Sequence, residues 1–151
     1  MSIVIRAATQ SDQPTIVSLI HQAKINPRNL HWEHFRIAEE DGKIVGIRQV
    51  KVHKGGTREV ASGFVLPEYR RQGISTQLMN EILSREKGTL YLMCRDRRAS
   101  YYEQFGFQKV GSKQLPRDFY NEYRIGRIIT TLVSIFSNDR VRIIPMKRVN
   151  T

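Results

Sequence analysis

The chain is short of cysteine: Cys94 is the only one in 151 residues. A lone thiol cannot close an internal disulfide, so a reducing, cytoplasmic setting is expected. A secretory pattern is also missing. MSIVIRAATQ has no basic segment followed by a long apolar run, and no export signal is expected from it. No apolar run reaches the roughly 20 residues that a membrane-spanning helix needs. The nearest, IITTLVSIF, is interrupted by threonines and a serine. No internal repeat, low-complexity tract or linker is evident, so residues 1–151 read as a single domain. His21, His31, His34 and His53 lack metal-ligand spacing and look scattered, so no metal is expected. Neither GxGxxG nor a P-loop GK[ST] occurs, which argues against a dinucleotide oxidoreductase or a nucleotide hydrolase. The largest shortage is of acidic charge. Fourteen Asp and Glu face 25 Lys and Arg, for a net charge of +11 and a pI near 10.2. Such an excess draws polyanions: nucleic acid, an acidic membrane face or a ligand with several phosphates. A solvated basic surface explains it equally well.

What is present reads as α+β. Ile3-Val4-Ile5 is a first strand. Ser11 or Asp12 can cap a helix with Pro14 in its first turn and Ile16, Leu19, Ile20 and Ala23 on one face. INPRNLHWEHF is loop-like. FRIAEE and KIVGIRQVKVH flank Asp41-Gly42, a strong hairpin turn, and Lys54-Gly55-Gly56 turns into REVASGFVL. The pattern then changes to a helix running to about Lys87, with Gly88 as its C-terminal cap. TLYLMC follows as a buried strand. A strand, a helix and a buried strand in succession make a crossover, so these two strands should be parallel. RASYYEQF is a short helix closed by Gly106, and Phe107 to Val110 is a strand. The run from Arg117 to Phe136 is helical, with Ile125, Ile128, Ile129, Leu132, Val133 and Phe136 as an apolar stripe that Gly126 weakens. VRIIPMKRV is a last strand, and its Pro145 suggests an edge or a bulge.

The chemistry concentrates in VLPEYRRQGISTQL, residues 65–78. Here a strand hands over to a helix whose apolar positions are Ile74, Leu78 and Ile82. The first amides of a helix have no intrahelical partner and carry the positive end of its dipole. They form a ready phosphate site. Gly73 admits a bulky anion to the backbone. Arg70 and Arg71 add charge and planar donors. A diphosphate answers this pattern.

Pro67-Glu68-Tyr69-Arg70-x-x-Gly73-Ile74-Ser75 resembles the acetyl-CoA signature [Q/R]-x-x-G-x-[G/A] of the GNAT N-acetyltransferase superfamily. Arg70, Arg71, Gln72, Gly73, Ile74 and Ser75 fall on it, with Ser75 replacing the usual Gly or Ala. Tyr101-Tyr102-Glu103-Gln104-Phe105-Gly106-Phe107 resembles the same family's FYEKLGF segment. The resemblance covers roughly Ile3 to Val110. It implies an α/β/α sandwich with a mixed, mostly antiparallel sheet, splayed between two central parallel strands, here Glu59–Val65 and Thr89–Cys94. An extra helix precedes the last strand. It further implies acetyl-CoA as co-substrate, with its pantetheine pairing near Phe64 and Val65 and its pyrophosphate on Arg71 to Thr76. A primary amine of a small molecule, peptide or protein would attack the thioester directly.

That reaction needs an amine freed of its proton, against a pKa of ~10, and a donor for the leaving thiolate. By the resemblance Tyr102 supplies the donor. Tyr101 and Phe105, four apart, pair in the core, and Tyr102 points roughly 100° away. Glu59 is the candidate base; its alternative is a solvated charge beside Arg58, with water relaying the proton. Cys94 reads as a small buried hydrophobe. Trp32 fits either a wall of the acceptor site or the core. Where the family often has an asparagine before the tyrosine helix, this chain has Arg95-Asp96-Arg97-Arg98. Arg95 or a neighbour would then reach the cofactor phosphates, or the cluster is solvated.

Three readings of the Arg117–Phe136 helix are open: a lid or substrate wall, a helix docked on the core, or a basic amphipathic helix on an anionic membrane. The alternative to an enzyme is a CoA-binding or nucleic-acid-binding module on the same fold. Nucleic acid is disfavoured, since no interleaved aromatic-basic motif or helix-turn-helix pattern occurs. A positive protein favours neutral or acidic amines over polycations. Relatives are often dimers.

Overall fold

The computed structural model describes residues 2–150. Among these residues seven strands and four α-helices follow one another in the order β1 (Val4–Ala7), α1 (Gln13–Ala23), β2 (Phe35–Glu40), β3 (Lys43–Val52), β4 (Arg58–Val65), α2 (Ile74–Arg85), β5 (Gly88–Arg95), α3 (Ala99–Glu103), β6 (Gln108–Lys109), α4 (Arg117–Ser137) and β7 (Ile143–Asn150). The sheet order is β1-β2-β3-β4-β5-β7-β6. β4 and β5 are the parallel pair, with Glu59 opposite Tyr91. The α+β class, the parallel crossover and the helix before the last strand are as the sequence implies. By contacts the chain forms two compact units: residues 1–51 with 60–86, and residues 52–59 with 87–151.

In the first unit, the hairpin turn holds Asp41 and Gly42 both at positive φ, 48° and 81°. This is the left-handed pair that a tight β2–β3 connection requires. Ile16, Leu19 and Ile20 of α1 are buried with Phe35, Ile37, Val45 and Ile47. α2 buries Ile74, Leu78, Met79 and Ile82. Its close approach to the sheet depends on Gly46, where a Cβ would stand 3.1 Å from Ile74 Cγ2 and 3.3 Å from Leu78 Cδ1. Asp12 occupies the N-cap of α1 without capping it by its side chain. Its carboxylate accepts instead from Arg6 at 2.7 and 3.1 Å and from the Thr9 amide at 2.7 Å. The Arg6 guanidinium holds that carboxyl well below the usual range, against the opposing push of burial.

In the second unit, β7 pairs with β5 along its whole length and with β6 on its other side. Pro145 therefore sits in an interior strand, not on an edge. Its carbonyl accepts from Val110 at 3.2 Å, so its nitrogen faces the same flank. β6 has ended there at Lys109, and the missing N–H forfeits no ladder bond. Gly88 also differs from expectation. α2 stops at Arg85 with Glu86 already extended, and Gly88, at φ +84°, opens β5 instead of capping the helix.

α4 is held by its first two turns. Phe119 and Tyr123 are buried. The Asp118 carboxylate accepts from the Gly55 amide (2.9 Å), the Thr57 amide (3.2 Å) and the Thr57 hydroxyl (2.6 Å). Burial pushes this carboxyl up, but the Thr57, Phe119 and Gly55 donors outweigh it and hold the group below its ordinary value. The apolar stripe of the second half faces solvent. Ile128, Ile129, Leu132, Val133, Ile135 and Phe136 are each at least half exposed, so for this half docking on the core is not the arrangement found.

Candidate active site

The strand-to-helix handover in the first unit is built from two left-handed residues. Arg71 (φ 62°) and Gly73 (φ 79°) bracket Gln72 and swing the chain into α2. Gly73 is the N-cap and supplies no side-chain bond to the first turn. Arg70, Arg71, Gln72 and Gly73 are exposed, Ser75 and Thr76 half-buried, and Ile74 is anchored in the core. Arg70 braces the loop. Its Nε donates to the Val65 carbonyl at 3.1 Å, and its guanidinium lies 5.6 Å from the centre of the Phe64 ring. The Val65 carbonyl expected to meet pantetheine thus already accepts from Arg70.

Beneath this turn lies a residue the sequence reading did not single out. Arg48 of β3 is only 5 % exposed, and its Nη2 donates to Ser75 Oγ at 3.2 Å. Gly63 on β4 makes the room, for a Cβ there would stand 2.4 Å from Arg48 Nη2. A cation under the positive end of a helix raises the local potential, and an anion at that spot relieves it. The signal available was Gly46 and Arg48 on one face of a strand (i, i+2), with the first helical turn after Gly73 to cover them. On the opposite face Gln49, fully buried, donates from Nε2 to Ser62 Oγ at 2.7 Å. Ser62 is itself left-handed, at φ 59° within β4.

Glu59 and Tyr102 belong to the second unit. Glu59 is not a solvated charge beside Arg58: it is 4 % exposed, and its Oε1 lies 2.9 Å from His53 Nε2. The His53 side chain is equally buried, its ring 5.8 Å from that of Phe119, which in turn lies 5.4 Å from Tyr91. His53 is therefore part of a built pair, six residues before its partner and joined to it across the Lys54-Gly55-Gly56 turn. Arg58 points elsewhere and donates to the Lys87 carbonyl. Tyr102 sits half-buried on α3, edge-on to Tyr101 at 5.1 Å and to Phe107 at 6.5 Å. Tyr101 and Phe105 do pair, at 5.3 Å, though neither is fully buried. Arg95 to Arg98 are exposed, with the Arg98 guanidinium over the Tyr101 ring.

Cys94 is buried with its Sγ 3.7 Å from Met146 Sδ, and burial pushes its thiol up to about 11. A thiol so rarely ionised is a poor nucleophile. Iodoacetamide near neutral pH should alkylate it at least about a hundredfold more slowly in the folded chain than in urea; equal rates, read by intact mass, would show an open thiol. Among the described residues no group of three or more His, Cys, Asp or Glu is placed to hold a metal ion. No described helix is long and apolar enough to cross a membrane.

Comparison with curated proteins returned no match. Among solved structures, N-acetylglutamate synthase from Neisseria gonorrhoeae, complexed with coenzyme A and N-acetyl-glutamate, aligns over 100% of this chain and 36% of its own at 22% identity, TM-score 0.76. The chain thus spans about a third of that enzyme's length. Rv2747 from Mycobacterium tuberculosis, in complex with CoA and NLQ, aligns over 97% of this chain and 98% of its own at 20% identity, TM-score 0.69. The ribosomal-protein-S18-alanine N-acetyltransferase from Escherichia coli aligns over 99% and 95% at 17% identity, TM-score 0.64. These likenesses establish the fold. The model of the acetyltransferase (GNAT) domain matches residues 31–109, more than half of the sequence and the stretch that holds Arg48, Glu59, the Arg70–Thr76 turn and Tyr102, and the chain belongs to that family.

Proposed function

We propose that the chain is an acetyl-CoA-dependent N-acetyltransferase whose acceptor is a neutral or acidic primary amine. The observation that carries this reading is the first turn of α2, where a helix start with no side-chain cap, a left-handed Gly73 and the buried Arg48–Ser75 contact converge. The amides of Ile74 to Thr76, with Arg71 and Gln72, would receive the pyrophosphate, and Phe64 and Val65 would flank the pantetheine. Acetyl-CoA supplies the activated acyl carbon. Glu59 takes one proton from the acceptor ammonium, and the freed amine nitrogen bonds to the acyl carbon. The carbon–sulfur bond breaks as Tyr102 protonates the departing sulfur, and the second proton lost by the nitrogen restores the Tyr102 hydroxyl. The acceptor class is supported by the basic balance of the chain and by N-acetyl-glutamate in the gonococcal synthase complex.

Titration calorimetry with CoA tests the cradle. Arg48→Met should weaken binding by about tenfold or more, the loss of one charge-assisted contact, with the melting curve recorded alongside. A wild-type chain that releases no heat with CoA would end the proposal. Thiol release with acetyl-CoA and a panel of amino acids, peptides and polyamines then ranks acceptors.

A further inference from the structure

We propose that the second half of α4 is a docking surface for an anionic lipid bilayer. From Ile125 to Ser137, at 100° per residue, the helix divides cleanly. Ile125, Ile128, Ile129, Leu132, Val133, Ile135 and Phe136 fill one sector about 160° wide. Gly126, Arg127, Thr130, Thr131, Ser134 and Ser137 fill the rest. The apolar sector is the one turned outward, with Phe136 87% exposed. Gly126 lies on the other side, where a Cβ would stand 3.0 Å from Ile143 Cδ1. A contiguous aliphatic face of this kind marks an interaction site on a soluble fold.

Charge selects the occupant. The compact unit that carries α4, residues 52–59 and 87–151, holds fifteen Lys and Arg against six Asp and Glu, a net +9 of the chain's +11. On the helix itself Arg124 borders the apolar sector, whereas Arg127 lies on the opposite side with its guanidinium 6.0 Å from the Tyr123 ring centre. A second copy seated on this face would bring another strongly positive unit against the first, which like-charge repulsion opposes. Nucleic acid would match the charge, but its polyanionic surface presents no continuous apolar layer to cover a face about 160° wide along the helix. Anionic headgroups above an acyl layer match both features: Arg124 and the unit's net positive charge draw the headgroups, and the seven side chains enter the boundary. The helix hydroxyls raise no obstacle, because Thr130, Thr131, Ser134 and Ser137 each donate to the carbonyl four residues earlier.

The test is flotation of the full chain with vesicles of phosphatidylcholine alone and of phosphatidylcholine with phosphatidylglycerol. The wild type should partition at least about tenfold more strongly onto the anionic vesicles. Leu132→Ser with Phe136→Ser should reduce that partitioning by about tenfold or more, without a change in melting temperature; Ile129→Ser with Val133→Ser is a second pair of the same kind. Absence of flotation overturns the proposal. So does flotation that both double variants retain, since charge alone would then suffice. Sedimentation as a dimer that these variants dissociate, without vesicle binding, would assign the face to a second copy instead.

Discussion

Glu59→Gln is expected to lower kcat by about a hundredfold, in the range of a positioned base, while CoA binding stays within about twofold. The substitution keeps the shape and a hydrogen-bonding group opposite His53 Nε2, so the buried pair is conserved in outline. What disappears is the proton acceptor. His53→Phe removes the partner 2.9 Å from Glu59 Oε1 and should lower kcat by about tenfold through lost orientation of the carboxylate, with CoA binding again within about twofold. A Glu59→Gln enzyme with the wild-type rate would hand the proton to water and leave Glu59 a structural group.

The position of this pair explains why it was only half legible. REVASGFVL reads as a strand, and Glu59 near its start looks like an exposed end. Its burial depends on His53, Phe119 and Tyr91, which are contributed by β5, α4 and the preceding turn. Only long-range packing brings them together. Arg48 was hidden differently. β3 is covered on both faces from Val45 to Lys51, so a charged residue there breaks no visible alternation. The phosphate turn, by contrast, was readable because its chemistry is local: a glycine in the left-handed region, two arginines and a helix start lie within six residues. The stripe on α4 shows the limit of periodicity. Spacing reports that apolar residues share a face but not which way the face turns, and here Asp118, Phe119 and Tyr123 fix the rotation of the helix.

That division of labour within α4 predicts very unequal consequences for the same chemical change. Phe119→Ala should destabilise the fold by about 3–5 kcal/mol, the cost of a cavity at a fully buried aromatic position. For a chain of this length that is a fall of roughly 10 °C in Tm. Phe136→Ala, on the same helix, should stay within about 0.5 kcal/mol, because its ring is already in water. Phe119→Ala should also loosen His53 and Tyr91, whose rings it touches. Turnover measured well below Tm should therefore fall even in molecules that remain folded. Denaturant melts of the two variants decide the matter. Comparable losses would mean that the second half of the helix is packed in solution, which would also remove the exposed face. A large loss confined to Phe119 would mean that the first two turns hold α4 and leave the following three free to meet another surface.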